Sequence, residues 1–324
     1  MNKVSNYFGI DISKDVFDVM DMNNVHYQFA NSVKGFKEFF KIFSENTHCV
    51  MEATGYYHYQ LASFLLKRKI DVSVVNPLSV KRFIQMRLSK IKTDKADAKM
   101  ICLYAQTVEL KLWKGHSKNQ LDCLQIIRIL SVYTKQSTAL KNKIHGEEVL
   151  GKPCMMVLSS IKRSLKSIQK EMKSLEKRIN ELVKEDHQDL LTRIETIPGL
   201  GRKTATMLIV LTDGFSSFTK GSELCSYAGL TPIIRQSGSS VMGKPRISKM
   251  GNQKLRNLLF MCSFTACKSN KACREIYERI VAKGKSKKLA LMAVCNKLLK
   301  QAFAIAKSGL IYEETYRSIN PALK

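Results

Sequence analysis

The sequence predicts an α/β domain followed by a mostly helical half, and three observations carry that prediction. Strand-like and helix-like apolar periods alternate through the first hundred residues. Helical periods dominate from Thr93 to about residue 185, and after His187 the chain turns basic and rich in glycine and serine before further helical segments from Asn252 to Lys307. At 324 residues there is room for two domains, or for one with a long insertion, each with its own core.

YFGIDIS, VFDVMDM and VHYQFAN read as three strands, because branched and aromatic residues recur at short period. The amphipathic SVKGFKEFFKIFSE then reads as a helix, THCVMEA as a strand, YYHYQLASFLLKRK as a helix, IDVSVVNP as a strand, and Leu78 to about Ser89 as a helix. A layered arrangement around one sheet follows from that order. The helical period from Thr93 to about Gln106 comes next, and much of 119 to 185 continues so, with a break near Gly151 and Pro153 that predicts a hairpin of two long helices. Leu165, Ile168, Met172, Leu175, Ile179 and Leu182 alternate spacings of three and four, the seam of a coiled coil made either between subunits or within the chain. The expected division is therefore 1–110, an α/β domain; 111–187, a helical coiled-coil region; and 188–324, a mostly helical C-terminal domain with a loosely attached tail from Ile311.

There are 54 Lys and Arg against 27 Asp and Glu, a formal net charge of +27, which points to a polyanionic partner and first to nucleic acid. The excess is regional: residues 1–100 hold 15 basic and 10 acidic side chains, residues 190–324 hold 23 and 7, so the C-terminal part is expected to make most phosphate contacts. A uniformly basic proteome is the plainer alternative, and the regional excess weighs against it. The nine cysteines contain no CxxC pair and sit mostly in apolar stretches, so they read as buried thiols of a reducing compartment. MNKVSNYFGIDIS lacks a signal pattern, and no apolar run reaches the roughly 18 residues of a membrane span, so a soluble, cytoplasmic, nucleoid-associated protein is expected.

Asp11, in GIDISKD, interrupts an apolar strand near its end, where a carboxylate is costly unless something pairs with it. Glu52, in CVMEATG, repeats the arrangement at the end of another strand. Asp94 and Asp97, in KTDKADAKM, are three apart at the start of a helix and so share a face near its positive end. Four carboxylates can hold two hard divalent cations, and a metal pair roughly 3.5 to 4 Å apart suits phosphoryl transfer. The plainer alternatives are a helix cap at Asp94 and a turn hydrogen bond at Asp11. Asp15, Asp18 and Asp21 read as solvent-facing.

TPIIRQSGSSVMGKPRISKMGNQKLRN carries Arg235, Lys244, Arg246, Lys249, Lys254 and Arg256 and no acid. Ser237, Ser239 and Ser240 surround Gly238, so a hydroxyl can approach a phosphate with guanidinium groups nearby; the plainer alternative is a binding loop. IPGLGRKTA offers a turn through Gly199 and Gly201 into a helix beginning Arg202-Lys203, the pattern of a helix-hairpin-helix that binds phosphate through backbone amides, or else an ordinary glycine-containing turn.

GIDISKD, MEATG, KTDKADA, IPGLGRKTA and RQSGSSVMGKPRISKMG, in this order and spanning nearly the whole chain, together resemble the bridge-RNA-guided insertion-sequence transposases, serine recombinases with a RuvC-like DEDD domain. The resemblance implies a ribonuclease H-like N-terminal domain whose four acids, Asp11, Glu52, Asp94 and Asp97, bind Mg2+, two ions per site. It implies a nucleophilic serine at Ser237, with Ser239 and Ser240 in support, that becomes linked to a DNA phosphate. It also implies a dimer or tetramer aided by the coiled coil, and a structured guide RNA that pairs with donor and target DNA. Rival readings are a water-using Holliday-junction resolvase, which has no need of Ser237; a sugar-kinase or actin-like ATPase, against which no second glycine-rich phosphate loop is found; and a non-enzymatic nucleic-acid scaffold.

Overall fold

The computed structural model describes residues 6–53, 55–88, 91–237, 241–247 and 250–315. The chain forms two compact units, Met1–His116 and Ser117–Lys324.

The first unit contains β1 (Asn6–Ile12), β2 (Val16–Met20), β3 (His26–Ala30), α1 (Val33–Phe40), β4 (Thr47–Glu52), α2 (His58–Leu66), β5 (Asp71–Val75), α3 (Pro77–Met86) and α4 (Asp94–Thr107). The sheet order is β3-β2-β1-β4-β5; β2 runs antiparallel to both its neighbours, while β1, β4 and β5 are parallel. One reversed strand in that order is the plan of the ribonuclease H-like fold. Alternation along β1 divides its residues between two layers. Phe8, Ile10 and Ile12 join Phe36 and Phe39 of α1 and Leu61 and Leu65 of α2 in one core, whereas Tyr7 meets Ala98 and Cys102 of α4 on the opposite face. Gly9, on that opposite face, sets how closely α4 approaches: a Cβ there would lie 2.2 Å from the Cys102 nitrogen and 2.4 Å from the Ala98 oxygen.

The second unit contains α5 (Lys118–Val149), α6 (Met155–Glu195), α7 (Arg202–Thr212), α8 (Gly221–Tyr227), β6 (Pro232–Ser237), β7 (Val241–Ile247), α9 (Gln253–Ser269), α10 (Lys271–Ala282) and α11 (Lys287–Ser308). The chain reverses between α5 and α6 at Gly151, whose φ of 76° is a left-handed value that glycine adopts without strain. Ile179 and Leu182 of the predicted seam are buried with Cys123, Ile126 and Ile127 of α5, while Leu165, Ile168 and Met172 are half-buried. The change of character after residue 187 coincides with a non-helical residue, His187 (φ −141°, ψ 33°), inside α6; the helix resumes and 117–324 stays one compact unit.

One local expectation is corrected. The segment around Ser237 is a two-stranded antiparallel ribbon, with an irregular register between Ile233 and Arg235, and not only a loop. By length and composition α11 could cross a bilayer if Lys297 and Lys300 are tolerated within it, but Ala290, Val294, Cys295, Leu298 and Leu299 are fully buried in the core of the second unit. Nine free thiols are present, six of them buried; Cys154 is exposed.

Candidate metal centre and serine ribbon

Asp11 is the last residue but one of β1, and Glu52 is the last of its parallel neighbour β4. Ile10 pairs with Met51, so the two acids are the next residues along, on strands roughly 4.8 Å apart. Ile10 and Met51 face the α1–α2 core, and the pleat turns Asp11 and Glu52 toward the α4 side. There α4 begins. Its N-cap is Thr93, whose Oγ1 accepts from the Ala96 amide at 3.1 Å. The cap considered for Asp94 is thus supplied by its neighbour, and both Asp94 and Asp97 stand in the first turn.

Asp11 senses the other three acids. The Asp11 carboxyl is pushed up to about 6, first by burial and then by Asp97, Asp94 and Glu52. Asp97 is also raised, by burial first; Lys92 works against that shift and Asp94 with it. Oxygen-only donors with mutual repulsion fit a hard divalent cation, whose charge would offset the repulsion. Among the described residues no three acid, imidazole or thiol side chains are already gathered as ligands round one point.

Sequence reasoning missed a second polar cluster on this face. Asp18 faces Asp11 across the β1–β2 pair and is 4% exposed, not solvent-facing. Its Oδ1 lies 2.7 Å from His26 Nε2 and accepts from Gln28 Nε2 at 3.2 Å. Both partners sit on β3, and the register brings them to Asp18. Asp15 is exposed as expected, and Asp21 accepts from the Val25 amide at 2.8 Å.

The second unit presents Ser237 as the exposed last residue of β6, paired with Val241. Ser239, Ser240 and Lys249 lie outside the described residues. Arg235 and Lys244 stand in the ribbon, their side chains outside the description, and Arg246 is exposed on β7. In the IPGLG turn, Gly199 (φ 99°) is packed against α9, where a Cβ would come within 2.6 Å of the Ala266 Cβ. Gly201 is the N-cap of α7, with no side-chain cap bond and open space where a Cβ would stand. Arg202 Nε is 3.6 Å from Glu195 Oε1, and Lys203 pairs with Glu176.

Two family models match in order: one described as a transposase, of the DEDD type of IS110 elements, over residues 8–150, and one described as transposase IS116/IS110/IS902 family over residues 191–278. An acid-bearing α/β unit followed by a basic helical unit, matched in this way, defines a DNA transposase or recombinase. The chain is 28% identical to the pilin gene-inverting protein of Moraxella lacunata, covering 95% of this chain and 98% of the relative. It is 29% identical to that of Moraxella bovis, with 95% and 98% covered. Identity is 24% to the transposase for insertion sequence element IS1111A of Coxiella burnetii, over 95% and 90%. The chain belongs to the IS110 family of transposases. A DEDD transposase domain implies a divalent metal, typically Mg2+.

Proposed function

We propose that this transposase cuts and rejoins DNA through a covalent phosphoserine at Ser237, with Mg2+ held by Asp11, Glu52, Asp94 and Asp97, two ions per site. The observation that carries the reading is the pairing of two specialised features in one chain. Burial, followed by the neighbouring Asp97, Asp94 and Glu52, raises Asp11 to about 6, and an exposed serine ends a basic ribbon. A water-using resolvase needs the acids but not the serine.

Ser237 Oγ attacks a backbone phosphate, the Ser O–P bond forms, and the P–O bond to one strand end breaks. The serine proton passes, in net, to the departing strand oxygen. Arg235 and Lys244 stabilise charge on the phosphorane, while Arg246, expected in the same role, pairs with Ile233 toward the root of the ribbon and binds a neighbouring phosphate of the strand instead. When bound, the metal supplies positive charge that orients and polarises the phosphate. A hydroxyl of a second strand then displaces Ser237 and restores a phosphodiester, so no bond energy is lost to water. Such chemistry serves gene inversion and element transposition alike, the two activities for which the relatives are named.

Sequence choice is supplied by base pairing of a structured guide RNA with donor and target DNA; the resemblance supports this partner. Lys249, Lys203 and Arg202 join the nucleic-acid contacts, and the α6–α7 turn acts as a helix-hairpin-helix through the open amides after Gly201. Gly199 serves that turn by packing on α9. The α5–α6 hairpin acts as a coiled coil that joins protomers in a dimer or tetramer, and exposed Val149, Leu150, Met155 and Met156 at its tip support this.

The test is covalent capture. Purified protein with Mg2+, flanking element RNA and matching DNA is expected to yield a protein–DNA adduct that survives denaturation and is absent in Ser237→Ala. Cleavage without an adduct, unchanged in Ser237→Ala, would establish the water-using alternative.

A further inference from the structure

A groove of about 1090 Å³ opens in the second unit between α9, α10 and α11, at the root of the β6–β7 ribbon. That is at or above the upper end of ordinary ligand pockets, roughly 300 to 1,000 Å³. Its ionisable lining is wholly cationic: Arg246, Arg256, Arg279, Lys288, Lys297 and Lys300, with no acid among the described residues. Between these cations lies an apolar surface that includes Phe260, Ile280 and Met292. Arg256 is held in place by a bond from Nη1 to the Ala228 carbonyl at 3.0 Å.

The combination selects a ligand. Phosphate alone calls for the cations but not for an aromatic and aliphatic floor, and an intact duplex keeps its base faces stacked away from such a floor. A nucleotide whose base is unstacked presents both an anionic backbone and an apolar face. Pro232, on the groove wall, begins the strand that ends in Ser237. Five residue steps at about 3.3 Å place the groove roughly 17 Å from the serine, a few nucleotides along a strand. We propose that this groove binds unpaired DNA flanking the phosphate presented to Ser237. Its location along the strand rests on the serine reading; its preference for single strands does not.

The test uses full-length Ser237→Ala protein, which cannot form the adduct, and a fluorescent 20-nucleotide single-stranded DNA, the matching RNA and the matching DNA duplex, each followed by anisotropy. Arg279→Glu with Lys288→Glu reverses two exposed charges of the groove. Lys297 and Lys300 are left intact because they also line a smaller cavity with Glu313 and Glu314. Lys170→Glu with Lys173→Glu, exposed on α6, removes the same charge elsewhere. The groove variant is expected to lose roughly tenfold or more in single-stranded DNA affinity and less than about threefold for duplex, with a shallower salt dependence for the single strand. The α6 variant is expected to weaken all three ligands alike. Equal losses for single strand and duplex in the groove variant, unchanged single-strand binding, or a loss confined to RNA would each overturn the proposal. Covalent capture with the intact serine is scored separately, so loss of the adduct reading leaves the binding result standing and the reverse also holds.

Discussion

In the first unit Asp11 and Glu52 stand on a five-stranded sheet with helices packed on both faces, and Asp94 and Asp97 open one of those helices; in the second, Ser237 ends a ribbon of only two strands. A two-stranded ribbon gains little stability from its own pairing. The difference suits the two tasks. Carboxylates that must share a cation need fixed mutual positions, which neighbouring strands and a tightly seated helix supply. A nucleophile that must meet a phosphate needs exposure, which a strand end supplies. Rigidity on the acid side thus rests on core packing, and substitutions there should be felt far more strongly than substitutions at the basic surface.

The largest expected effect is at Gly9. Its missing Cβ would lie against backbone atoms of Cys102 and Ala98, which cannot rotate away. Gly9→Ala should therefore push α4 from the sheet, at a cost of about 3 kcal/mol or more, and displace Asp97 from Asp11. The single tryptophan, Trp113, packs on the core of the first unit and reports its unfolding selectively. Gly199→Ala is the counterpart in the second unit, where the added Cβ meets Ala266 and φ is 99°. Denaturation followed by Trp113 fluorescence should shift strongly for Gly9→Ala, while Gly199→Ala should shift the far-ultraviolet circular dichroism transition instead. Loss of the Trp113 transition in Gly199→Ala alone would break the division between the units.

How these positions show in the sequence differs for a physical reason. Asp11, Glu52, Asp94 and Asp97 are legible because a carboxylate inside or beside an apolar period is locally anomalous, and the five strands and their helices are legible from period alone. Asp18 sits in VFDVMDM with no local sign of its fate; only the register that brings His26 and Gln28 to it shows how it can be buried. The ribbon was hidden because its glycines and serines signal a turn, and because irregular register between Ile233 and Arg235 disturbs strand alternation. Gly199 reads as a turn residue, but its contact with Ala266 is made by a helix far along the chain. Arg246 and Arg256 of the groove belong to the basic segment legible in the sequence, but nothing local shows that α9, α10 and α11 bring them together with Arg279, Lys288, Lys297 and Lys300 around an apolar floor.

An intermediate effect is expected at Asp11. Folding raises its carboxyl from 3.8 to about 6. Between those values the unfolded chain releases its proton first, so the folded state binds more protons and loses stability as pH rises; the penalty is absent below about 3.8 and complete above about 6. Asp11→Asn removes this slope. It should melt near the native protein at about pH 4 and above it at about pH 8. Mg2+ acts in the opposite sense: it should raise the native melting temperature at high pH, fade as Asp11 gains its proton, and have little effect on Asp11→Asn. Melts followed by Trp113 fluorescence with and without Mg2+ measure all four conditions. An equal Mg2+ effect in both proteins would remove Asp11 from the ligand set.

The smallest effect on stability is expected at Lys203, and it sharpens the contrast with Gly9. Its ammonium pairs with Glu176 across the surface, the two side chains being 68% and 36% exposed. An exposed pair of this kind contributes about 0 to 1 kcal/mol, so Lys203→Ala and Glu176→Ala should each leave the denaturation midpoint nearly unchanged. DNA binding separates them. If the turn after Gly201 contacts a phosphate, Glu176 competes with that phosphate for Lys203. Lys203→Ala should then weaken binding to every sequence alike and reduce the slope of log affinity against log salt by about 1, whereas Glu176→Ala should strengthen binding by freeing the lysine. Should neither substitution move affinity or slope, Lys203 is only a surface partner of Glu176, and the α6–α7 turn is a packing device set by Gly199.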